Sequence, residues 1–261
     1  MPSHDIFICT YHKDAVWLEY CLKSVQKYAR GFRNTIVVYP ARDADILRPV
    51  CDRFPFVVQK MVEETGDGHL FQNATKTSCD LYSDADFFLH MDSDCLFTEE
   101  ASPEDYKTDG RCDIVYCPYT ELQTSHGGNP VPWQDITSRS IGIPVLVETM
   151  RQFPMMYPEW LYSETRKRIE EIHKTTFFKY VMESLPDGPA FKGYSEFNSI
   201  GCVAMYLFYN HFNFYYSNSD ERVRKLRPTK VKQFWSHAEL DFHERRKLDR
   251  IVEGWDRKCW G

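Results

Sequence analysis

The first 92 residues alternate short apolar segments with amphipathic ones, and this alternation restricts the folds open to the chain. Extended spacing predicts strands, and helical spacing predicts the helices between them. The predicted strands are 5–10, 34–39, 55–60 and 86–92, and the predicted helices are 14–28, 43–54 and 69–81. This βαβαβαβ order predicts an α/β protein with a mainly parallel central sheet, which binds its ligands where the strands end.

Two carboxylates, Asp92 and Asp94, follow the fourth predicted strand and are separated only by Ser93. Alternate side chains of an extended backbone share a face, so both carboxylates can bind one hard cation together with phosphate oxygens. Mg²⁺ or Mn²⁺ suits such ligands best. Asp-x-Asp alone is a weak motif because aspartate is common in turns, but the buried strand before it favours a metal site.

The other parallel strands should end at the same edge, which places Thr10, Tyr11, His12 and Asp43 near the motif. No Gly-x-Gly-x-x-Gly segment follows the first strand, and the chain has no Gly-Lys-Ser/Thr loop. Both absences disfavour dinucleotide-binding and P-loop classes. A bound metal would instead hold the phosphates of a ligand.

On the third predicted helix, Gln72 and Lys76 lie four residues apart on one face. They can therefore reach a nucleotide or diphosphate together. The alternative is that this face is simply solvated.

The second half has a different character, with Gly and Pro concentrated in 118–133 and helical spacing afterwards. We expect one domain, whose halves are roughly 1–110 and 111–261. The predicted helices are 144–153, 163–184, 195–209 and 238–255.

Composition excludes several classes of protein. The formal net charge of -6 disfavours sequence-independent nucleic-acid binding, which needs a positive surface. Nine cysteines without a Cys-x-x-Cys pair are expected to be reduced thiols. No apolar run approaches the roughly 20 residues that span a bilayer, and the N-terminus lacks the pattern of a signal peptide. We therefore expect a cytoplasmic protein without integral membrane association.

The strand order and the Asp92-Ser93-Asp94 motif resemble the nucleotide-sugar half of GT-A (Rossmann-like, three-layer) glycosyltransferases. Shorter matches follow in the expected order at 71–76, 194–197 and 235–237. The resemblance implies that Asp92 and Asp94 hold Mn²⁺ or Mg²⁺ against the diphosphate of a donor, and that His237 completes the coordination. It also implies that the donor site includes Ser93, Gln72 and Lys76, and that the base and ribose are contacted by Thr10, Tyr11, His12 and Asp43.

In inverting enzymes of this kind, an acidic residue that begins a helix takes the proton of the acceptor hydroxyl. Glu196 matches this position, after Ser195 as a possible cap. The alternative role for Glu196 is to complement the helix dipole, in which case a retaining mechanism without a dedicated base remains open.

The resemblance also assigns donor and acceptor contacts in the second half. In enzymes of this kind, the segment that corresponds to the basic run before His237 often closes over the donor diphosphate. Lys230 and Lys232 are the members of this run nearest to His237 in sequence, so the resemblance assigns them to the diphosphate. Trp133 and Tyr194 are the aromatic residues expected to contact a sugar acceptor.

The resemblance thus implies a metal-dependent hexosyl- or pentosyltransferase that moves a sugar from a nucleoside diphosphate sugar, expected to be a UDP-sugar, to a hydroxyl of a glycan or other acceptor. One alternative is a nucleotidyltransferase that makes the nucleotide-sugar, although 10–14 lacks the glycine-rich loop typical of that class. A second alternative is a catalytically silent sugar- or nucleotide-binding module. These classes differ in the products that they release.

Overall fold

A computed structural model describes residues 2–125, 133–151, 153–184, 192–217, 230–234, 240 and 242–253. Its central sheet consists of β1 (His4–Cys9), β2 (Thr35–Pro40), β3 (Val57–Val62), β4 (Phe87–Met91) and β9 (Met155–Pro158). The strand order is β3-β2-β1-β4-β9. Four of these strands are parallel, and the edge strand β9 is antiparallel to β4. The predicted α/β class with a mainly parallel central sheet is confirmed.

A helix follows each of the first three strands, as the alternation predicts. These helices are α1 (Ala15–Tyr28), α2 (Ala44–Cys51) and α3 (Gly68–Lys76). Asp67 begins α3 with a side-chain cap, since its carboxylate accepts hydrogen bonds from the backbone of His69 and Leu70. Asp14 precedes α1 without such a cap bond.

The chain after β4 contains further strands that the sequence analysis missed. They are β5 (Cys95–Phe97), β6 (Lys107–Thr108), β7 (Arg111–Pro118), β8 (Val147–Glu148), β10 (Asn213–Tyr216) and β11 (Val231–Gln233). A second sheet has the order β10-β7-β6 with β8 paired to β7, and β11 pairs antiparallel with β5. The helices are α4 (Tyr119–Ser125), α5 (Trp133–Ile141), α6 (Glu159–His173), α7 (Phe177–Glu183), α8 (Glu196–Leu207) and α9 (Phe242–Glu253).

Three predicted segments need correction. The predicted helix 144–153 is wrong, because this stretch contains β8 and irregular backbone. The predicted helix 163–184 is two helices, since Lys174 adopts a left-handed backbone with φ of 53° and ends α6. The predicted loop 118–133 is helical over α4, and its residues 126–132 lie outside the described part of the chain.

One apolar core extends through both halves of the sequence. It contains Ile6, Val37 and Leu89 from the central sheet together with Ile200 and Val203 from α8. The eight described cysteines are buried and are not joined in disulfides, as expected for reduced thiols. Among the described residues, we find no helix with the length and apolar character to cross a membrane.

Candidate functional site at the carboxyl edge of the central sheet

The loops after β1 and β2 meet at the carboxyl edge of the central sheet, as their parallel pairing requires. The His12 backbone N–H donates to Asp43 Oδ2 at 3.0 Å, and His12 Nδ1 lies 3.0 Å from Asp43 Oδ1. Asp43 is buried, whereas the His12 side chain is 40% exposed. Thr10 is buried beside them, and its backbone N–H donates to Val38 at 3.0 Å. The imidazole of His12 and the exposed ring of Tyr11 are therefore open to a ligand on the β1 loop, and Arg42 is exposed on the β2 loop.

Helix α3 lies against the same edge. Gln72 Nε2 donates to the carbonyl of Cys9 at 3.2 Å. Lys76 Nζ lies 2.8 Å from Asp92 Oδ1 and 3.4 Å from Glu196 Oε1. Lys76 is 5% exposed, so the alternative of a solvated helix face is wrong for this residue.

Lys76 remains a cation in this environment. Burial by itself would lower the pKa of Lys76, but the charges of Asp92 and Glu196 outweigh burial and raise this pKa above its usual value. The ammonium group also lies 5.2 Å from the centre of the Phe197 ring. A fixed positive charge therefore stands between two carboxylates that come from different halves of the chain.

The Asp92-Ser93-Asp94 motif forms the turn between β4 and β5. The backbone of Cys95 donates to the carbonyl of Asp92, and the backbone of Phe234, just after β11, donates to the carbonyl of Asp94, both at 3.0 Å. Asp94 is 7% exposed. The turn is thus held from both sides, which limits the movement of its carboxylates.

Asp14 is a site residue that the sequence analysis missed. Ser93 Oγ donates to Asp14 Oδ2 at 2.8 Å, so Ser93 faces the start of α1 and Asp14 supports the motif. The sequence pattern placed Asp14 only at the start of the predicted helix 14–28. Its position shortly after β1 was the available signal, because that loop ends at the same edge as β4.

The motif can supply two carboxylates to a hard cation. Mg²⁺ is commonly held by one or two carboxylates together with substrate phosphates, so Asp92 and Asp94 fit such a metal. Within the described ranges, Asp92 Oδ1 is buried and makes no hydrogen bond of good geometry, although it is ion-paired with Lys76. The same ranges contain no cluster of three or more His, Cys, Asp or Glu side chains arranged as a metal site. His237, the third predicted ligand, lies outside the described residues.

Glu196 is the first residue of α8 and is 7% exposed. Ser195 precedes it without capping the helix by its side chain, which corrects the expected cap. Ser195 Oγ instead accepts a hydrogen bond from Asn198 Nδ2 at 3.1 Å. The backbone of Thr149 donates to Asn198 Oδ1 at 3.0 Å and so joins β8 to this first turn.

The two predicted acceptor residues differ in their placement. Tyr194 is 1% exposed, so its ring has no face available to a sugar and the predicted acceptor contact is wrong. Its carbonyl accepts from Asn73 Nδ2 at 2.8 Å. Trp133 begins α5 and is partly buried against the main core.

The two predicted lysines lie on the β11 side of the motif. Lys230 Nζ forms an ion pair with Asp105 Oδ1 at 2.8 Å, so its charge already has a partner outside the Asp92 cluster. Lys232 pairs with Leu96 in the β11–β5 register, and its Nζ lies 4.9 Å from the centre of the Phe234 ring. The remaining residues of the basic run, 222–227, lie outside the described part of the chain.

No protein-family model and no curated protein matches this chain by sequence. Solved structures do match its fold. The chain is similar to an active-site mutant of LgtC, with 11% identity, 96% of this chain and 95% of that chain covered, and a TM-score of 0.52. The galactosyltransferase LgtC in complex with donor and acceptor sugar analogs gives 11% identity, the same coverage and a TM-score of 0.49. The glycosyltransferase GlyE of Streptococcus pneumoniae TIGR4 gives 10% identity, 82% and 45% coverage and a TM-score of 0.44.

The likeness to the LgtC mutant shows that this chain has the mixed α/β fold of LgtC, with a mainly parallel central sheet. At 11% identity the likeness defines the fold and leaves activity to be argued from the site.

Proposed function

We propose that this protein is a glycosyltransferase that moves a sugar from a nucleoside diphosphate sugar to an acceptor hydroxyl. One observation carries the proposal, namely that Lys76 contacts both Asp92 and Glu196. Asp92 Oδ1 lies 2.8 Å and Glu196 Oε1 lies 3.4 Å from the same Lys76 Nζ, so the two carboxylates are close to each other. The predicted metal ligand and the predicted base therefore belong to a single site.

The donor would lie along the carboxyl edge of the sheet. His12 and Tyr11 offer accessible rings beside the buried Thr10 and Asp43, so these rings would contact the base or ribose. The backbone N–H and the imidazole of His12 contact the two carboxylate oxygens of Asp43. Asp43 would therefore orient the imidazole of His12 in addition to contacting the nucleotide. We expect a UDP-sugar as the donor.

Asp92 and Asp94 would hold Mn²⁺ or Mg²⁺ beside the diphosphate. When bound, the metal neutralises charge on the departing nucleoside diphosphate. Ser93 and Asp14 keep the motif in place through their hydrogen bond. Lys76 adds a fixed positive charge at the same edge, where the negative charge of the leaving group develops.

Glu196 would act as the general base. In this role its carboxylate accepts the proton of the acceptor hydroxyl while the hydroxyl oxygen attacks the anomeric carbon. A single displacement of this kind inverts the configuration at that carbon. If Glu196 only supports the structure, a retaining mechanism without a dedicated base applies instead. Substitution of Glu196 distinguishes the inverting mechanism from the retaining one.

The test is the release of nucleoside diphosphate from UDP-, GDP- and CDP-sugars in the presence of Mn²⁺ and a panel of acceptors. Glu196→Gln should lower kcat by about 10²–10⁴, the usual contribution of a general base, with donor affinity retained. Glu183→Gln is the matched control because Glu183 is an exposed glutamate on α7. Full transfer by Glu196→Gln would exclude Glu196 as the base.

The two other candidate functions give different results in the same assay. A nucleotidyltransferase releases pyrophosphate from a nucleoside triphosphate and a sugar phosphate. A silent binding module binds the nucleotide without turnover, and Glu196→Gln leaves its behaviour unchanged. Either pattern would replace the proposed transferase activity.

A further inference from the structure

Helix α3 is fastened to the segment before α8 by buried hydrogen bonds. Asn73 Nδ2 donates to the carbonyl of Tyr194 at 2.8 Å. Thr77 Oγ1 lies 3.3 Å from the hydroxyl of Tyr194, which is the donor because the Thr77 hydroxyl donates to the carbonyl of Asn73. Asn73, Thr77 and Tyr194 are all buried. We call these two contacts the α3–Tyr194 lock.

The lock has one preferred geometry. Thr77 Oγ1 donates a hydrogen bond to the carbonyl of Asn73 at 2.9 Å, and this bond fixes the orientation of the Thr77 hydroxyl. The ring of Tyr194 packs edge-to-face on Phe177, with ring centroids 5.5 Å apart, inside a small apolar cluster with Leu70 of α3. Any shift of Tyr194 would leave a buried carbonyl without its donor and disturb this packing, so the lock resists displacement.

We propose that Asn73 and Thr77 are positioning residues, which place Glu196 for proton transfer by holding Tyr194. The inference rests on the proposed function, since it assigns a purpose to the position of the base. Glu196 follows Tyr194 by only two residues, and in the sequence Lys76 lies between Asn73 of α3 and Thr77, the residue after α3. Helix α3, which carries Lys76, therefore also holds the backbone at Tyr194, two residues before Glu196, the carboxylate that Lys76 contacts.

The first measurement compares Thr77→Val with Thr77→Ser. Valine removes the hydroxyl at similar size, whereas serine keeps it. Thr77→Val should lower kcat by about tenfold with the donor KM unchanged, and Thr77→Ser should restore most of this loss. Thr165→Val is the matched control, because among the described residues buried Thr165 bonds only its own helix, with Oγ1 donating to Leu161 at 2.7 Å. Thr165→Val should leave kcat unchanged.

A second measurement does not depend on activity. Unfolding by urea of Lys76→Met, Glu196→Gln and the double variant gives the coupling between Lys76 and Glu196. The same cycle is repeated in the Thr77→Val and Asn73→Ala backgrounds. If the lock places Glu196, the ratio of unfolding constants that defines this coupling should fall by about threefold or more in both backgrounds.

The outcomes separate the lock from the proposed function. An unchanged coupling in both backgrounds, or equal loss of kcat in Thr77→Val and Thr165→Val, overturns the lock. A reduced coupling in a protein that transfers no sugar supports the lock and contradicts the transferase. If Asn73→Ala does not fold, the smaller change Thr77→Val decides the matter.

Discussion

The ammonium group of Lys76 lies 2.8 Å from Asp92 Oδ1, so the first carboxylate of the motif already has a cation beside it. The same ammonium reaches Glu196 at 3.4 Å. Three charged groups from α3, the β4–β5 turn and α8 thus share a mostly buried site. Removing Lys76 leaves both carboxylates without a compensating charge, which makes the cluster accessible to direct tests.

Lys76→Met should lower the free energy of unfolding by about 2–3 kcal/mol, somewhat less than the usual cost of breaking a fully buried pair. The lower figure reflects Asp92, whose side chain is 28% exposed. Addition of Mn²⁺ should recover part of the loss, because a metal on Asp92 and Asp94 replaces the missing positive charge. Urea unfolding with and without Mn²⁺ measures both effects.

The control for this change is Lys179→Met, which breaks an exposed ion pair between Lys179 and Glu183 on α7. Exposed pairs contribute about 0–1 kcal/mol, so this variant should change stability little and show no response to Mn²⁺. Equal losses in the two variants would mean that Lys76 is not the buried partner of Asp92 and Glu196.

Gly201→Ala should destabilise the protein, although glycine-to-alanine changes inside helices usually stabilise by roughly 0.5–1 kcal/mol. A Cβ at Gly201 would lie 2.6 Å from Cβ of Thr149, which is too close for the helix to stay in place. We expect a loss of about 1–3 kcal/mol in the free energy of unfolding, typical of overpacking. Thermal or urea unfolding measures it.

Gly68→Ala is the matched control for this prediction. There the new Cβ would meet only Glu64 Oε1 at 3.1 Å, at the end of a side chain that can move. Stabilisation by both alanine variants would show that α8 is not packed tightly on Thr149.

Stability should depend on pH through His4. Burial, and then the charge of Lys107, lower the pKa of His4 below 6.5, although Glu104 and Asp86 oppose this shift. Lys107 Nζ lies 3.0 Å from Nε2 of the neutral ring. Below about pH 6.5 the unfolded chain binds a proton that the folded protein excludes, so the free energy of unfolding falls as the pH decreases.

His4→Gln keeps an acceptor for Lys107 and does not titrate. Its free energy of unfolding should therefore fall less steeply between about pH 6.5 and 5 than that of the unaltered protein. His211→Gln, which replaces an exposed histidine, is the control. An identical slope for His4→Gln and the unaltered protein would contradict the account.

The fold up to β4 was predictable because its strands and helices carry local patterns. Parallel strands buried on both faces are nearly continuous apolar runs, as in β1 and β4, and the helices between them have clear spacing. The chain after β4 was not predictable in this way. Its strands β6 and β8 have two residues each, too few for any periodic signal, and the eight-residue β7 was missed as well.

The site was predicted where its residues follow strands and was missed where contacts join distant segments. The loops of His12 and Asp43 meet as parallel strand order requires. The Lys76–Glu196 contact joins residues 120 positions apart, and no local pattern specifies it. Tyr194 was misassigned because an aromatic residue beside a predicted acidic site gives no sign of its burial, which depends on α3 and α7.

The most direct test of the account is thermal unfolding of the purified protein with UDP, GDP or CDP, each with and without Mn²⁺. A ligand at about 100 times its Kd adds about 2.7 kcal/mol of stability, so a bound diphosphate should raise Tm by about 5 °C or more. We predict that one diphosphate stabilises the protein only with Mn²⁺, that Asp94→Asn abolishes the effect, and that Asp135→Asn, at an exposed site on α5, preserves it. Absence of stabilisation by every diphosphate, or stabilisation that survives Asp94→Asn, would contradict a metal-dependent donor site at Asp92 and Asp94.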